Sequence, residues 1–347
     1  MRAVTKRTEK IRSQILRDVI RHPNDIASHI SDIFGISRQA ANNHLKTLVD
    51  TGWLVAHGTT RNRTYTLGIK RENSVSVSLK GNVSESDIFF THFAAIAEGL
   101  SKNVGDIVFY GFTEMVNNAI DHSQGTSCYI HMLRNQDEIK ISILDNGEGI
   151  FRRIKRLKDL PDEKQAILEL AKGKLTTDPK NHSGQGIFFT SRMFDKFAIS
   201  SGELYFSHNH ESELDVLMDS DATGEMDYGT YVSMSISLNS TRTDTEVFEK
   251  FTAGEDNDFA FNKTIIPVAL AKFGNEQLVS RSQAKRLLTR IEHFQFVYFD
   301  FAGIDSIGQA FADEIFRVYK LRHPEISLSY SNANQDVTNM ITRAIAS

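Results

Sequence analysis

The stretch Phe112-Thr113-Glu114-Met115-Val116-Asn117-Asn118-Ala119-Ile120-Asp121-His122 limits what this chain can become more than any other. At helical period Glu114, Asn117, Asn118 and Asp121 fall at i, i+3, i+4 and i+7 and share one face. Phe112, Met115, Val116 and Ala119 repeat the spacing on a second, apolar face. A carboxylate and a carboxamide one turn apart suit a particular chemistry. The carboxylate can orient or deprotonate a water, and the amide oxygen can ligate a hard cation such as Mg²⁺. The same pattern also fits a solvated polar stripe on an ordinary amphipathic helix, so segments further along the chain must decide between them.

A chain of 347 residues exceeds one average core and predicts roughly two or three domains. Its contents of 40% hydrophobic and 24% charged residues are those of a globular protein. No long apolar run occurs and the N-terminus is basic and polar, which predicts a cytoplasmic protein with neither a membrane span nor a signal peptide. The single cysteine, Cys128, excludes an intramolecular disulfide and falls in a predicted strand, Thr126–Leu133, as a structural thiol. The net charge of −4 hides an asymmetry: residues 1–72 carry +7 and the remainder −11. A basic head on an acidic body predicts that only the head meets nucleic acid.

In that head, helical patterns run from Thr8 to Arg21, from an N-cap at Asn24 to Gly35, and from an N-cap at Ser37 to Gly52. Strands are expected at residues 53–57 and 64–67, around a basic turn. Helix, short turn, helix and basic hairpin make the pattern of a winged helix-turn-helix. The strings GISRQAANNHLKTLVDTGWL and GTTRNRTYTL resemble the DNA-binding domains of bacterial regulators of the ArsR and MarR type. The resemblance implies that the third helix enters the major groove of duplex DNA, with Arg38, Gln39, Asn42, Asn43 and Lys46 as contacts. Arg61 and Arg63 on the wing would meet phosphate or minor groove. A winged helix used for protein docking is the alternative.

Past a polar linker, Lys70 to Ser74, come a strand at 75–79 and a helix expected from Ser86 to Lys102. After the helix at 112–122, strands at 126–133 and 138–144 lead into Asp145-Asn146-Gly147-Glu148-Gly149. An acid at a strand end can accept from an exocyclic amine, and spaced glycines let backbone approach a ligand. Further on, Gly184-Gln185-Gly186 opens a helix, where free amides and the dipole favour phosphate. Gly229-Thr230 then opens a strand at 231–238. No P-loop string occurs, since Gly173-Lys174 is followed by Leu175. The run His208-Asn209-His210-Glu211 reads as a hairpin turn between strands at 203–207 and 213–218 rather than as a metal site.

These four pieces in this order resemble the GHKL superfamily of ATP-binding domains, over residues 111–238. The resemblance implies an α/β sandwich that binds ATP with Mg²⁺. It makes Glu114 the general base, Asn118 the Mg²⁺ ligand and Asp145 the adenine reader, with Gly147 and Gly149 shaping the pocket. It also puts Gly184 and Gly186 on the phosphates beneath a lid from about Phe151 to Ser183, and Thr230 behind the adenine-side carboxylate. Lys172, Lys174 and His182 would be further phosphate contacts, while Asn117 and Asp121 receive no role.

After a polar break at 240–245, strand and helix alternate to the end, which predicts a small α/β domain. The string VYFDFAGIDSIGQAFADEIFRVY resembles a STAS-like domain. Gly308-Gln309-Ala310 stands where phosphorylatable members carry a hydroxyl, so Ser306 is expected to cap the helix and the domain to couple to a protein partner.

The expected architecture is thus an α+β and α/β multidomain chain: a winged helix-turn-helix at 1–72, a GHKL sandwich at 73–240 and a STAS-like domain at 241–347. The expected function is a homodimeric DNA-binding regulator switched by Mg-ATP. Two alternatives stand beside it, a serine/threonine kinase of the partner-switching type and a DNA-sensing ATPase of a defence system.

Overall fold

The computed structural model describes residues 6–59, 62–81, 83–175, 184–212, 214–219, 226–252, 261–272 and 276–346. At the N-terminus α1 (Lys6–Asp18), α2 (Ile26–Phe34) and α3 (Arg38–Asp50) close around Ile11, Ile15, Ile30, Ala41 and Leu45. Ser37 caps α3 by accepting from Ala40 N at 3.1 Å, as expected. The α2 cap is not Asn24: Asp25 holds the N-cap position and makes no side-chain cap bond. A two-stranded antiparallel hairpin comes next, β1 (Leu54–His57) with β2 (Thr64–Leu67). The N-terminal unit is therefore three helices followed by a hairpin.

The segment expected as a polar linker is a strand. In β3 (Arg71–Ser78) alternate residues turn inward, and the run pairs antiparallel with β4 (Ser127–Arg134) along its whole length. Arg71 is the reason the polar start is held: it is buried, and its guanidinium donates to the carbonyls of Ala95 and Glu98 at 2.9 Å each. Nor do residues 86–102 form one helix. The segment divides into α4 (Glu85–Ile88), a π turn (Phe89–Phe93) and α5 (Ala94–Ala97), then turns at Gly99. A new helix, α6 (Lys102–His122), begins after Ser101.

After β5 (Glu138–Asp145) come α7 (Ile150–Lys158), α8 (Glu163–Lys172) and α9 (Gly186–Met193). They lead into β6 (Lys196–Gly202), β7 (Leu204–Asn209), β8 (Leu214–Asp219) and β9 (Met226–Ser237). Among the described residues β3 to β9 form one antiparallel sheet in the order β3-β4-β5-β9-β6-β7-β8. Alternation gives its inner face Ile139, Ile141 and Ile143 of β5, Phe197 and Ile199 of β6, and Val232, Met234 and Ile236 of β9. Against this face lies the apolar stripe of α6, with Phe112, Met115, Val116 and Ala119 buried as the spacing predicts. Cys128 is buried on the same face, which pushes its thiol up to about 12.

The polar break at 240–245 contains the start of a helix, α10 (Asp244–Lys250), nucleated by a capping box between Thr243 and Glu246. Beyond it lie β10 (Lys263–Pro267), a 3-10 turn (Val268–Ala271), α11 (Arg281–Leu288), β11 (Phe296–Asp300) and α12 (Gln309–Asp313). A π turn (Glu314–Tyr319), α13 (Lys320–Arg322), β12 (Ser327–Ser331) and α14 (Gln335–Ala346) complete the chain. The strands pair in parallel in the order β10-β11-β12. Ser306 does not cap α12: Gly308 holds the N-cap position, with no side chain to offer. This unit and the large sheet share one continuous hydrophobic core, whereas the N-terminal unit has its own. Among the described residues no helix is long and apolar enough to cross a membrane.

Candidate active site

Strand β5 carries Ile139, Ile141 and Ile143 inward, and the next residue on that row is Asp145, 6% exposed. Its Oδ1 accepts from Gly147 N at 2.8 Å, and both the backbone and the hydroxyl of Thr230 bond to the carboxylate. Burial nevertheless pushes the carboxyl above its ordinary range, with these bonds opposing. Thr230 lies within β9 rather than at its start, and its Oγ1 also accepts from Ile150 N at 3.0 Å. One hydroxyl therefore ties the acid of β5 to the first turn of α7. Gly149, at φ 89, makes the turn between them in a region that a side chain would strain.

Helix α6 presents Glu114, Asn117 and Asn118 to the same space. The Nδ2 of Asn118 is buried without a hydrogen-bond partner. An orphaned buried amide is costly, and this one borders a cavity where a ligand can complete it. Opposite, α9 starts at Gly186, so close that a Cβ there would collide with the Glu114 carboxylate. Glycine there lets the first turn of α9, whose leading amides lack helical partners, stand against the Glu114 carboxylate without displacing it.

Together these residues border a cavity of about 370 Å³. Of the residues expected at the site it is lined by Glu114, Asn118, Asp145, Gly149, Gly184, Gly186 and Thr230. Gly147 stands behind the wall and acts through its amide on Asp145. Of the segment expected as a lid, the described part forms α7 and α8, packed on each other, and residues 176–183, His182 among them, lie outside the described residues.

Two expected phosphate contacts turn elsewhere. Lys172 is 1% exposed and donates to Glu169 Oε1 at 2.7 Å and to the carbonyls of Arg286 and Thr289. Lys174 donates to the carbonyl of His293 at 2.8 Å. Both lysines follow α8 away from the cavity and into the C-terminal unit, where helix-end carbonyls satisfy them.

Arg153 lines the cavity and had no part in the expected set. Its Nη1 reaches Glu148 at 3.4 Å, while its Nε is buried without a partner. The available signal was position: Ile150, Arg153 and Ile154 are spaced i, i+3 and i+4 from the end of the D-x-G-x-G turn and share the cavity-facing side of α7.

On the N-terminal unit Arg38, Gln39, Asn42, Asn43 and Lys46 are all exposed along α3, and Arg63 is exposed beside β2. Arg61 lies outside the described residues. Of the run at 208–211, expected as a turn, His208 and Asn209 end β7 and only His210 and Glu211 turn towards β8, with His208 Nδ1 placed 2.9 Å from Asp215 Oδ1. Among the described residues no group of three or more His, Cys, Asp or Glu is placed to hold a metal ion.

Residues 79–205 match the family model of the histidine kinase-like ATPase domain, and residues 283–338 match that of a STAS-like domain of unknown function. A comparison with curated proteins finds no match. The first model spans β4, β5 and the helices α6 to α9 that build the cavity, and the second spans α11 to the start of α14. This chain therefore carries a histidine kinase-like ATPase domain followed by a STAS-like domain.

Proposed function

We propose that the chain is a DNA-binding regulator whose shape or assembly is set by Mg-ATP in this cavity, with hydrolysis as the reset. The observation that carries the reading is convergence. One cavity is bordered by a buried acid that can accept from adenine N6, by an acid beside a glycine-opened helix, and by an unsatisfied amide. Asp145 holds the base, with Thr230 and the Gly147 amide fixing its orientation. Gly184 and Gly186 leave backbone amides for the phosphates. Glu114 takes the proton of the attacking water, a role that needs an acid within reach of the phosphate-binding turn.

Mg²⁺ would arrive with the nucleotide: Asn118, which borders the cavity, would supply its amide oxygen and the phosphates the remaining ligands, leaving its orphaned Nδ2 to donate to an oxygen of the ligand. Bound there, the ion would neutralise charge on the phosphates. The exposed polar row of α3 and Arg63 would bind duplex DNA, and the two-fold symmetry of most operators calls for a homodimer. The STAS-like domain would be the docking module for a protein partner.

A partner-switching kinase is the second reading, favoured by an ATPase domain and a STAS-like domain in one chain. Its target would have to be another protein, because α12 starts at Gly308 without an acceptor hydroxyl at its cap. Calorimetry with Mg-ATP and the fate of labelled γ-phosphate separate the readings. Free phosphate supports hydrolysis, phosphoprotein supports the kinase, and no heat of association removes both. Glu114→Ala should keep nucleotide affinity and lower turnover by about 10²–10⁴-fold. Unchanged turnover would refute the base.

A further inference from the structure

Helix α8 is buried on all sides from Gln165 to Lys172. On one side Leu170, and just beyond the helix Leu175, line the nucleotide cavity. On the other, Gln165, Glu169 and Lys172 at i, i+4 and i+7 face the STAS-like domain. Lys172 has three ammonium protons and three acceptors: Glu169 Oε1 at 2.7 Å, Arg286 O at 3.2 Å and Thr289 O at 2.7 Å. The two carbonyls belong to the C-terminal end of α11, where a cation is favoured by the helix dipole. Gln165 Nε2 joins Glu169 Oε1 at 2.9 Å to Arg286 O at 3.1 Å, and Arg290 Nε stands 3.7 Å from Glu169 Oε2. From β10, Thr264 Oγ1 donates to the carbonyl of Lys172 at 2.7 Å.

A surface contact between two domains does not need this. Here a buried ion pair within α8, Lys172 with Glu169, reaches across the junction through the α11 carbonyls and Arg290, on a helix that also walls the cavity. We propose that Lys172 is a positioning residue for the nucleotide site, through which the STAS-like domain holds α8 and so sets nucleotide affinity. The inference rests on the reading that the cavity takes Mg-ATP. By linkage the coupling runs both ways: nucleotide tightens the α8–α11 junction by the factor with which the junction tightens nucleotide. Whatever binds the STAS-like domain and loosens that junction would release nucleotide.

The test uses the full chain. Mg-ATP affinity is measured by calorimetry for the wild type, Lys172→Met and Arg290→Ala, and for Ile341→Val on α14, which packs on α12. Ile341→Val lowers stability inside the same domain without touching the junction. Lys172→Met should weaken Mg-ATP by about tenfold and Arg290→Ala by a smaller factor, while Ile341→Val leaves it unchanged. Hydrogen exchange supplies the reciprocal readout: Mg-ATP should slow the amides of residues 281–290 in the wild type and not in Lys172→Met. A folded Lys172→Met with wild-type affinity overturns the inference, as does nucleotide-insensitive exchange in a wild type that binds. If Lys172→Met does not fold, wild-type affinity in Arg290→Ala overturns it instead. A wild type that binds no Mg-ATP fails at the earlier step, and both readings fall.

Discussion

Asp145 is an acid the fold keeps at a cost. Burial raises its carboxyl above the ordinary range, and the bonds from Gly147 and Thr230 only oppose that rise. A raised folded-state value contributes stability that is complete below the unfolded value of about 3.9 and is lost as pH rises through the folded one. Near neutral pH the ionised carboxylate therefore works against the empty fold. Asp145→Asn keeps an acceptor for the Gly147 amide and removes the charge, so it should raise the thermal midpoint of the nucleotide-free chain. The same change should weaken Mg-ATP by about 1–3 kcal/mol, because a charged acceptor is lost opposite an amine. Thermal scans and calorimetry on one variant check both halves, and a lower midpoint with full affinity contradicts the assignment. That Glu114 and Asn118 share a helix face and that Asp145 ends a strand was legible in the sequence; that all three line one cavity comes from the fold. The expectation for Lys172 and Lys174 fails for a physical reason: sequence shows a lysine's charge but not the direction of its stem, and nearby helix-end carbonyls hold both more closely than the cavity does.

At the scale of elements, α9 is anchored at its far end from the cavity. Arg192, in its last turn, grips the Asp215 carboxylate of β8 in a fork, at 2.9 and 2.8 Å, with His208 of β7 against the same carboxylate. Burial works against the Asp215 anion, yet Arg192 and His208 outweigh it and hold the carboxyl at about 2. Burial and Arg192 push His208 below its usual range. A depressed folded-state value contributes stability above the unfolded value, about 6.5 for histidine, and that stability is lost as pH falls through the folded one. Stability should drop as pH falls from 7 towards 5, well before Asp215 titrates. Urea denaturation at both pH values checks this, and His208→Phe should flatten the dependence; an equal slope in the variant sinks the attribution.

The same elements show where period failed. Helical period and strand alternation gave the second half of α6, β4, β5 and α14, but β6 went unseen because Ser201 interrupts its apolar row and Ser200 precedes it. Both serines are nonetheless buried, and Ser201 Oγ donates to the Gly229 carbonyl at 2.8 Å. Helix α10 was hidden in a polar segment because its core contacts come late, where Phe248 and Phe251 meet the Phe189 and Phe188 rings of α9 at 4.5 and 4.8 Å.

For the whole molecule, the N-terminal unit keeps a core of its own. Its tie to the ATPase domain runs through α5: Ala95 packs on the head's core, and Arg71 and Arg134 from β3 and β4 hold the carbonyls of Ala95, Ile96 and Glu98. Trp53 packs against both cores. A change in the sheet thus meets the head through α5, the π turn before it and Trp53, while α3 keeps its polar face in solvent. If that face binds duplex DNA, the affinity of the full chain should fall linearly in log salt, by about 0.9 for each phosphate neutralised. Lys46→Glu with Arg63→Glu should flatten that slope and leave Mg-ATP turnover without DNA unchanged, since neither residue borders the cavity. Fluorescence anisotropy across a salt series measures it. Binding whose slope ignores the double variant would move the DNA contact elsewhere, and no binding at all would leave α3 free for a protein partner.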